Sequence, residues 1–141
     1  MKRSALHRWH QSAGAALAVE DGWFVPLRYS TADQEAQTAA SGVAICDLSH
    51  FHDHLSPHAR FLIAGPRSRA LLGKLTSLNP DVASAYSSLA HVRTLVTRHP
   101  LGYLIMPPRD YAESVWSAIL HAGEEFHIAP FGLEAYRRLE A

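Results

Sequence analysis

Histidines are the residues most capable of chemistry in this chain of 141 residues, which contains ten of them. His50, His52 and His54 alternate along the sequence, so on a β-strand their imidazoles would share one face. Imidazoles grouped in this way can bind zinc, copper or nickel. Three of them on a strand span about 13 Å, which is too far for all three to hold one ion unless the strand bends. The alternative is a solvated edge strand, and a zinc ion is not expected.

Composition narrows the classes of function open to the chain. Its 13 lysine and arginine residues balance 13 aspartate and glutamate residues, which argues against a nucleic-acid or membrane-surface role, since both usually need a basic excess. No window approaches about 18 apolar residues, so no membrane span is predicted. The single cysteine excludes an internal disulfide. We therefore expect a cytoplasmic protein.

Changes of hydrophobic period predict the elements that must position these groups. At Gly65-Pro66, and again at Pro107-Pro108, an apolar strand pattern ends and a helical pattern begins. The predicted elements are strands over 60–64, 89–99, 102–106 and 125–128, with helices over 66–75 and 110–122. This order predicts an α+β fold built on a ferredoxin-like βαββαβ split unit, with four antiparallel strands and both helices on one face.

The preceding residues predict a layer of helices and strands beside this unit. Its predicted elements are an Ala-rich helix within 4–18, an extended segment over 22–29, a helix over 32–40 and a buried strand over 43–48. Ser30 or Thr31 can cap the second helix, and Gly42 ends it. Cys46 has no adjoining basic residue to lower its thiol pKa, so it is predicted to be a small buried residue rather than a nucleophile.

The chain is thus predicted to be one domain. Its parts are the N-terminal layer over 1–58, the split unit over 59–129 and a C-terminal helix over 130–141.

Several motifs resemble the T-protein of the glycine cleavage system, a folate-binding aminomethyltransferase. The similar features are Gly22-Trp23 with Pro26 and Tyr29, the run from Cys46 to His50, the strand ending in Gly65-Pro66, and the helical segment 132–141. The middle of the chain, above all residues 109–116, resembles the gamma subunit of heterotetrameric sarcosine oxidase. T-proteins are much longer, so the resemblance implies at most the front part of a T-protein-like folate-binding fold.

The resemblance also implies candidate contacts to tetrahydrofolate, the possible cofactor. The family glutamate that hydrogen-bonds the pterin falls on Glu140, whose carboxylate could accept two hydrogen bonds from the amino-pyrimidine edge. The alternative is that Glu140 frays with the chain end. Tyr86 and Arg109 are the other candidates. Arg109 is one of several basic side chains that could bind the glutamate tail of a folate, or that are simply exposed to solvent.

The sequence departs from the T-protein pattern where catalysis would occur. The resemblance puts Val92 and Arg93 at the positions of the family's acidic pair, and the spacing between Tyr86 and Arg98 predicts no room for the hairpin that precedes it. Without a carboxylate there, the family's proton chemistry has no obvious agent.

We therefore expect a small, non-catalytic or weakly catalytic subunit beside larger flavoprotein subunits of a sarcosine-type amine oxidoreductase. Flavin would sit only on a partner subunit, and this chain would help to form a tetrahydrofolate-linked chamber for one-carbon transfer. One alternative is a self-contained folate-dependent aminomethyl or methyl transferase whose acid is Asp47, Asp53 or Asp81. Another is a metal-binding or structural protein that uses the face of His50, His52 and His54.

A subunit should expose apolar surface to its partners. Large aromatic side chains anchor interfaces when they are exposed together. The predicted anchors are Trp9, Trp23, Phe24, Phe51, Phe126, Phe131 and Tyr136.

Overall fold

The computed structural model describes residues 2–51 and 56–140. These residues form five α-helices, eight strands and three short 3-10 turns. In chain order they are α1 (His7–Ser12), β1 (Ala16–Glu20), β2 (Trp23–Arg28), α2 (Ala32–Ser41), β3 (Ala44–Asp47), a turn at Ser49–Phe51, β4 (Phe61–Ala64), α3 (Ser68–Leu75), β5 (Ser84–Leu89), β6 (Val92–His99), β7 (Gly102–Met106), a turn at Arg109–Tyr111, α4 (Ala112–Ala122), a turn at Glu124–Phe126, β8 (Ala129–Pro130) and α5 (Leu133–Glu140). None of the described helices is long and apolar enough to cross a membrane.

The main sheet has six strands in the order β5-β6-β7-β4-β3-β8, and β1 and β2 form a separate hairpin. Neighbouring strands are antiparallel except for β3 and β8, which are parallel. The predicted α+β class is therefore confirmed, but the sheet is larger than the predicted four strands. Strand β3, expected in the N-terminal layer, lies between β4 and the last strand.

Both predicted changes from strand to helix are confirmed. Strand β4 ends at Ala64 and α3 follows after Gly65-Pro66, while Pro107-Pro108 separates β7 from the turn that leads into α4. Gly65 has a φ of +123°, which only glycine adopts readily. A Cβ added there would lie 2.2 Å from a backbone carbonyl oxygen, so the close approach of the α2 end also requires glycine.

Two hydrophobic cores lie on opposite faces of the sheet. Because side chains alternate along a strand, Phe61 and Ile63 of β4 enter the core with α3 and α4, whereas Leu62 and Ala64 enter the core with β2 and α5. Helices α3 and α4 pack against each other on the first face. The prediction that both helices of the split unit share one face is thus confirmed.

Three predictions of local structure were wrong. The Ala-rich segment gives only a short α1 and then β1, because residues 16–20 pair with β2. The last strand is β8, and part of the predicted segment 125–128 lies in a 3-10 turn. A β5–β6 hairpin does fit between Tyr86 and Arg98, because its turn is only Ala90-His91, with φ of 51° and 64°.

The seven aromatic side chains predicted as interface anchors are not exposed together. Trp23, Phe131 and Tyr136 are buried, because β2 and α5 pack onto one face of the sheet. Trp9 and Phe126 are partly buried against the other core. Of the seven predicted anchors only Phe51 is largely exposed, at 48%.

Candidate functional site

One half of the sheet is covered on only one face, and we call its uncovered side the open face. Along β5 and β6, Leu89, Thr94 and Val96 are buried under α3 and α4. The alternate positions point the other way, toward the core that contains β2 and α5, and Leu95, Thr97 and His99 of β6 are only partly buried there. Tyr86 on this side is 48% exposed.

The strand register arranges the open face in three rows. Tyr86 pairs with Leu95 and Leu95 with Met106, and Arg60, which precedes Phe61 in β4, extends this first row. The second row is Thr97 and Leu104, and the third is His99 and Gly102. Leu62 and Ala64 continue these two rows on β4, where they are buried in the core with β2 and α5. Leu104 and Met106 are only 6% and 8% exposed, so the accessible side chains of the rows are Tyr86, Leu95, Thr97 and His99. They combine apolar and polar groups, as ligand sites usually do.

Helix α5 brings Glu140 to the border of this face. A buried carboxylate, Glu35, fixes the start of the helix: one oxygen accepts from the Gly132 N–H at 2.8 Å, and the other accepts from the Tyr29 N–H at 2.8 Å. At the other end of the helix, the Glu140 carboxylate lies within electrostatic range of Tyr136 and of His99 in the third row. Burial and the Glu140 carboxylate raise the pKa of Tyr136 to about 12, so its hydroxyl stays protonated and can donate.

The predicted folate contacts are only partly brought together. Glu140 and Tyr86 belong to the same face, but Tyr86 lies in the first row and Glu140 beside the third, which is about 13 Å away along the strands. Arg93 stacks on Tyr86, with its guanidinium 4.6 Å from the ring centroid. Arg109 lies elsewhere, since it donates to the Arg3 carbonyl at 3.1 Å near the N-terminus.

The structure describes one of the three predicted metal ligands. His50 lies in the first 3-10 turn with its ring 4.1 Å from that of Phe51, while His52 and His54 lie outside the described residues. Burial is the main reason why the pKa of His50 is lowered. No group of three histidine, cysteine, aspartate or glutamate side chains suited to a metal ion occurs within residues 2–51 and 56–140.

A buried polar network surrounds Asp47, which sequence reasoning offered as an alternative catalytic acid. One carboxylate oxygen accepts from Ser4 Oγ at 2.5 Å and from His10 Nε2 at 2.8 Å. The other accepts from the Ser49 N–H at 3.0 Å and from Ser49 Oγ at 2.5 Å. Tyr29 OH lies 2.6 Å from His10 Nδ1 and completes the network.

These bonds give Asp47 a structural task. Burial alone would raise the pKa of this carboxyl, but the bonds and charge from His10 and the two serine hydroxyls hold it below its ordinary value. All four accepting positions of the carboxylate are occupied by protein donors, so Asp47 has none left for a substrate.

The other alternative acids and the cysteine can also be located. Asp81 is exposed and pairs with Arg69 at 2.8 Å, and Asp53 lies outside the described residues. Cys46 is buried, as predicted, and burial raises its thiol pKa well above the ordinary value.

Sequence reasoning missed Arg60 and the partners of Asp47. Arg60 alternates with Leu62 and Ala64, so a charge on an otherwise apolar strand face was its available signal. The pairing of His10 with Asp47 spans 37 residues and leaves no local pattern.

The sequence of the second half of the chain identifies the protein family. The sequence model of the GCVT N-terminal domain matches residues 51–141, which contain β4 to α5 and hence the whole open face. The chain belongs to the GCVT N-terminal domain family.

Curated relatives in this family are aminomethyltransferases. That of Chlorobium luteolum is 32% identical over 105 residues, which cover 74% of this chain and 26% of the relative. That of Nitrosococcus oceani is 28% identical over 152 residues, which cover 99% of this chain and 38% of the relative. The chain therefore spans well under half the length of either enzyme.

A solved structure shares the fold over nearly its whole length. A chain of heterotetrameric sarcosine oxidase from Corynebacterium sp. U-96 superposes with a TM-score of 0.54 at 17% identity. The match covers 89% of this chain and 96% of the sarcosine oxidase chain.

Proposed function

We propose that this chain is a small subunit of a flavin-dependent, sarcosine-type N-methyl amine oxidoreductase, with little or no catalysis of its own. The observation that carries the proposal is the open face with Glu140 at its border. Ligand sites enclose most of their ligand's surface, and a flat sheet face bordered by one helix cannot do so alone. A partner subunit laid over this face would close a chamber in which tetrahydrofolate meets a one-carbon unit.

The residues of the open face fit the binding part of this role. Glu140 would accept hydrogen bonds from the amino-pyrimidine edge of the pterin, while Tyr86 offers an exposed ring for stacking. Flavin on the partner subunit would supply the oxidation of the amine. The similarity to a chain of heterotetrameric sarcosine oxidase supports the subunit arrangement.

The locations of the acidic groups support a binding rather than a catalytic role. Asp47 is enclosed by its four donors, and Asp81 pairs with Arg69 at the surface. The strand positions that the resemblance assigns to the acidic pair hold Val92 and Arg93, neither of which exchanges a proton near neutral pH.

A self-contained folate-dependent aminomethyl or methyl transferase is the second candidate. The observation that favours it is the 32% identity to an aminomethyltransferase over 74% of the chain. In that case Glu140 and the open face would bind folate without a partner, and the isolated chain would turn over.

Purification of the chain from its natural host, with an affinity tag at the N-terminus, tests the proposal. We expect the chain to elute in fixed stoichiometry with a larger protein that shows flavin absorption, and N-methylglycine should bleach that absorption. A chain that elutes alone contradicts the proposal. Methylene transfer to tetrahydrofolate by the isolated chain, abolished by Asp47→Asn in a correctly folded variant, would instead establish the transferase.

A further inference from the structure

Arg60 is an unusual side chain for the place it occupies. It is partly buried on the open face, beside the apolar Leu62 and Met106. Its Nε atom is fully buried and has no hydrogen-bond partner among the residues that the structure describes, and its guanidinium forms no ion pair with any of them. A buried donor without an acceptor is costly, so native proteins keep few of them, often for a ligand.

The surroundings of Arg60 define a polar cluster on the open face. Beside the main effect of burial, the positive charge of Arg60 acts to lower the pKa of Tyr136 in α5 and of His99 in β6. The negative charge of Glu140 acts to raise the pKa of the same two residues. Arg60 and Glu140 thus both lie within electrostatic range of these residues, and the structure shows no ion pair between them. A ligand bound at this cluster would meet a cation and an anion.

We propose that Arg60 binds a carboxylate group of a ligand held on the open face. A guanidinium presents parallel N–H donors that match the two oxygens of a carboxylate, and such charge-assisted bonds are among the strongest in proteins. The carboxylate would accept hydrogen bonds from the Arg60 guanidinium, while Glu140 takes the donor groups of the same ligand. Binding is by hydrogen bonds and charge, with no covalent step.

The proposal deepens the proposed function and rests on it for the choice of ligands. Two sources of carboxylate fit: the glutamate tail of a folate, and the carboxylate of an N-methyl amino acid. Both are tested as probes, with a reduced pterin that lacks the aminobenzoyl-glutamate part as the uncharged comparison.

Calorimetric titration of the full chain measures this binding. The probes are 5-formyltetrahydrofolate, N-methylglycine and 6-methyltetrahydropterin, and the variants are Arg60→Met and Arg60→Lys. Arg98→Met is the matched control, because Arg98 is exposed and points to the opposite face of β6 from His99. We expect Arg60→Met to weaken binding of one carboxylate probe by about tenfold or more, with an intermediate loss for Arg60→Lys. Binding of the pterin should not change, and Arg98→Met should bind as the wild type does.

The outcome for each probe is decisive. Loss confined to 5-formyltetrahydrofolate assigns the folate tail, and loss confined to N-methylglycine assigns the amino acid. Equal affinity of Arg60→Met and wild type for both probes, or no binding of either to wild type, overturns the proposal. If Arg60→Met does not fold, the wild-type Nε–H resonance of Arg60 must shift when a carboxylate probe is added, and a static resonance overturns it. If purification from the natural host yields no flavoprotein partner but binding still depends on Arg60, the proposed function is contradicted and the proposal about Arg60 stands.

Discussion

Removal of the His10 imidazole should destabilise the protein severely. His10 Nε2 donates to Asp47, and the two side chains are each 2% exposed. In His10→Ala, the Asp47 carboxylate keeps its two serine partners but loses the imidazole N–H, which is one of its four donors. Solvent cannot replace that donor without opening the core beside Trp116, whose ring lies 5.9 Å from the imidazole.

The expected loss follows from the burial of both groups. Removing one partner of a buried pair costs about 3–5 kcal/mol, because the remaining charge is left uncompensated. Since small domains are stable by only about 5–15 kcal/mol, His10→Ala should lose a large part of the free energy of unfolding. The exposed His121→Ala is a matched control and should change that free energy by no more than about 0.5 kcal/mol.

Urea denaturation, followed by far-ultraviolet circular dichroism, measures these differences at neutral pH. Asp47→Asn completes a double-mutant cycle. The double variant His10→Ala with Asp47→Asn should lose about 1–3 kcal/mol less than the sum of the single losses, because it has no stranded charge. A loss below about 1 kcal/mol for His10→Ala, or additive losses in the cycle, would refute the reasoning that this pair is tightly coupled.

Three further outcomes are expected. The pKa of Asp47 is lower in the folded than in the unfolded protein, so its contribution to stability is full above the ordinary carboxyl pKa of about 3.9 and is lost as pH falls through the folded pKa. Urea titrations at pH 7 and in acid should therefore show a smaller decline in the free energy of unfolding for Asp47→Asn than for wild type. Gly65→Ala should unfold at clearly lower temperature, whereas Gly73→Ala, where a Cβ meets nothing within 4 Å, should gain up to about 1 kcal/mol; equal melting temperatures would contradict the account of Gly65. Replacing Ala90-His91 by Asn-Gly should stabilise the β5–β6 hairpin by about 1 kcal/mol, since both positions have positive φ, and an unchanged urea midpoint would argue against that turn.

Local patterns predicted the parts of the fold that local physics controls. The change of period at Gly65-Pro66 and Pro107-Pro108 is enough to place the strand-to-helix junctions, because proline and glycine act on adjacent backbone. Thr31 caps α2, as expected, by accepting from the Gln34 N–H at 3.1 Å. Glu140 was named only from the resemblance, and its role in folate binding stays a prediction.

The rest depended on contacts between distant residues. Strand β3 enters the sheet beside β8 through pairing of Ala44 with Ala129, which no local pattern encodes. Residues 16–20 have an Ala-rich helical composition, yet pairing with β2 overrides that preference. The β5–β6 turn carries neither Gly nor Asn, the usual signals of such a hairpin.

The attachment of the N-terminal segment to Asp47 also has a kinetic consequence. Ser4 and His10 reach the carboxylate across 43 and 37 residues of chain, so these bonds require closure of a long loop before they offset its entropy. Contacts of this kind form slowly compared with the local β5–β6 hairpin. The first ten residues should therefore dock late in folding, after strand β3 has found its place in the sheet.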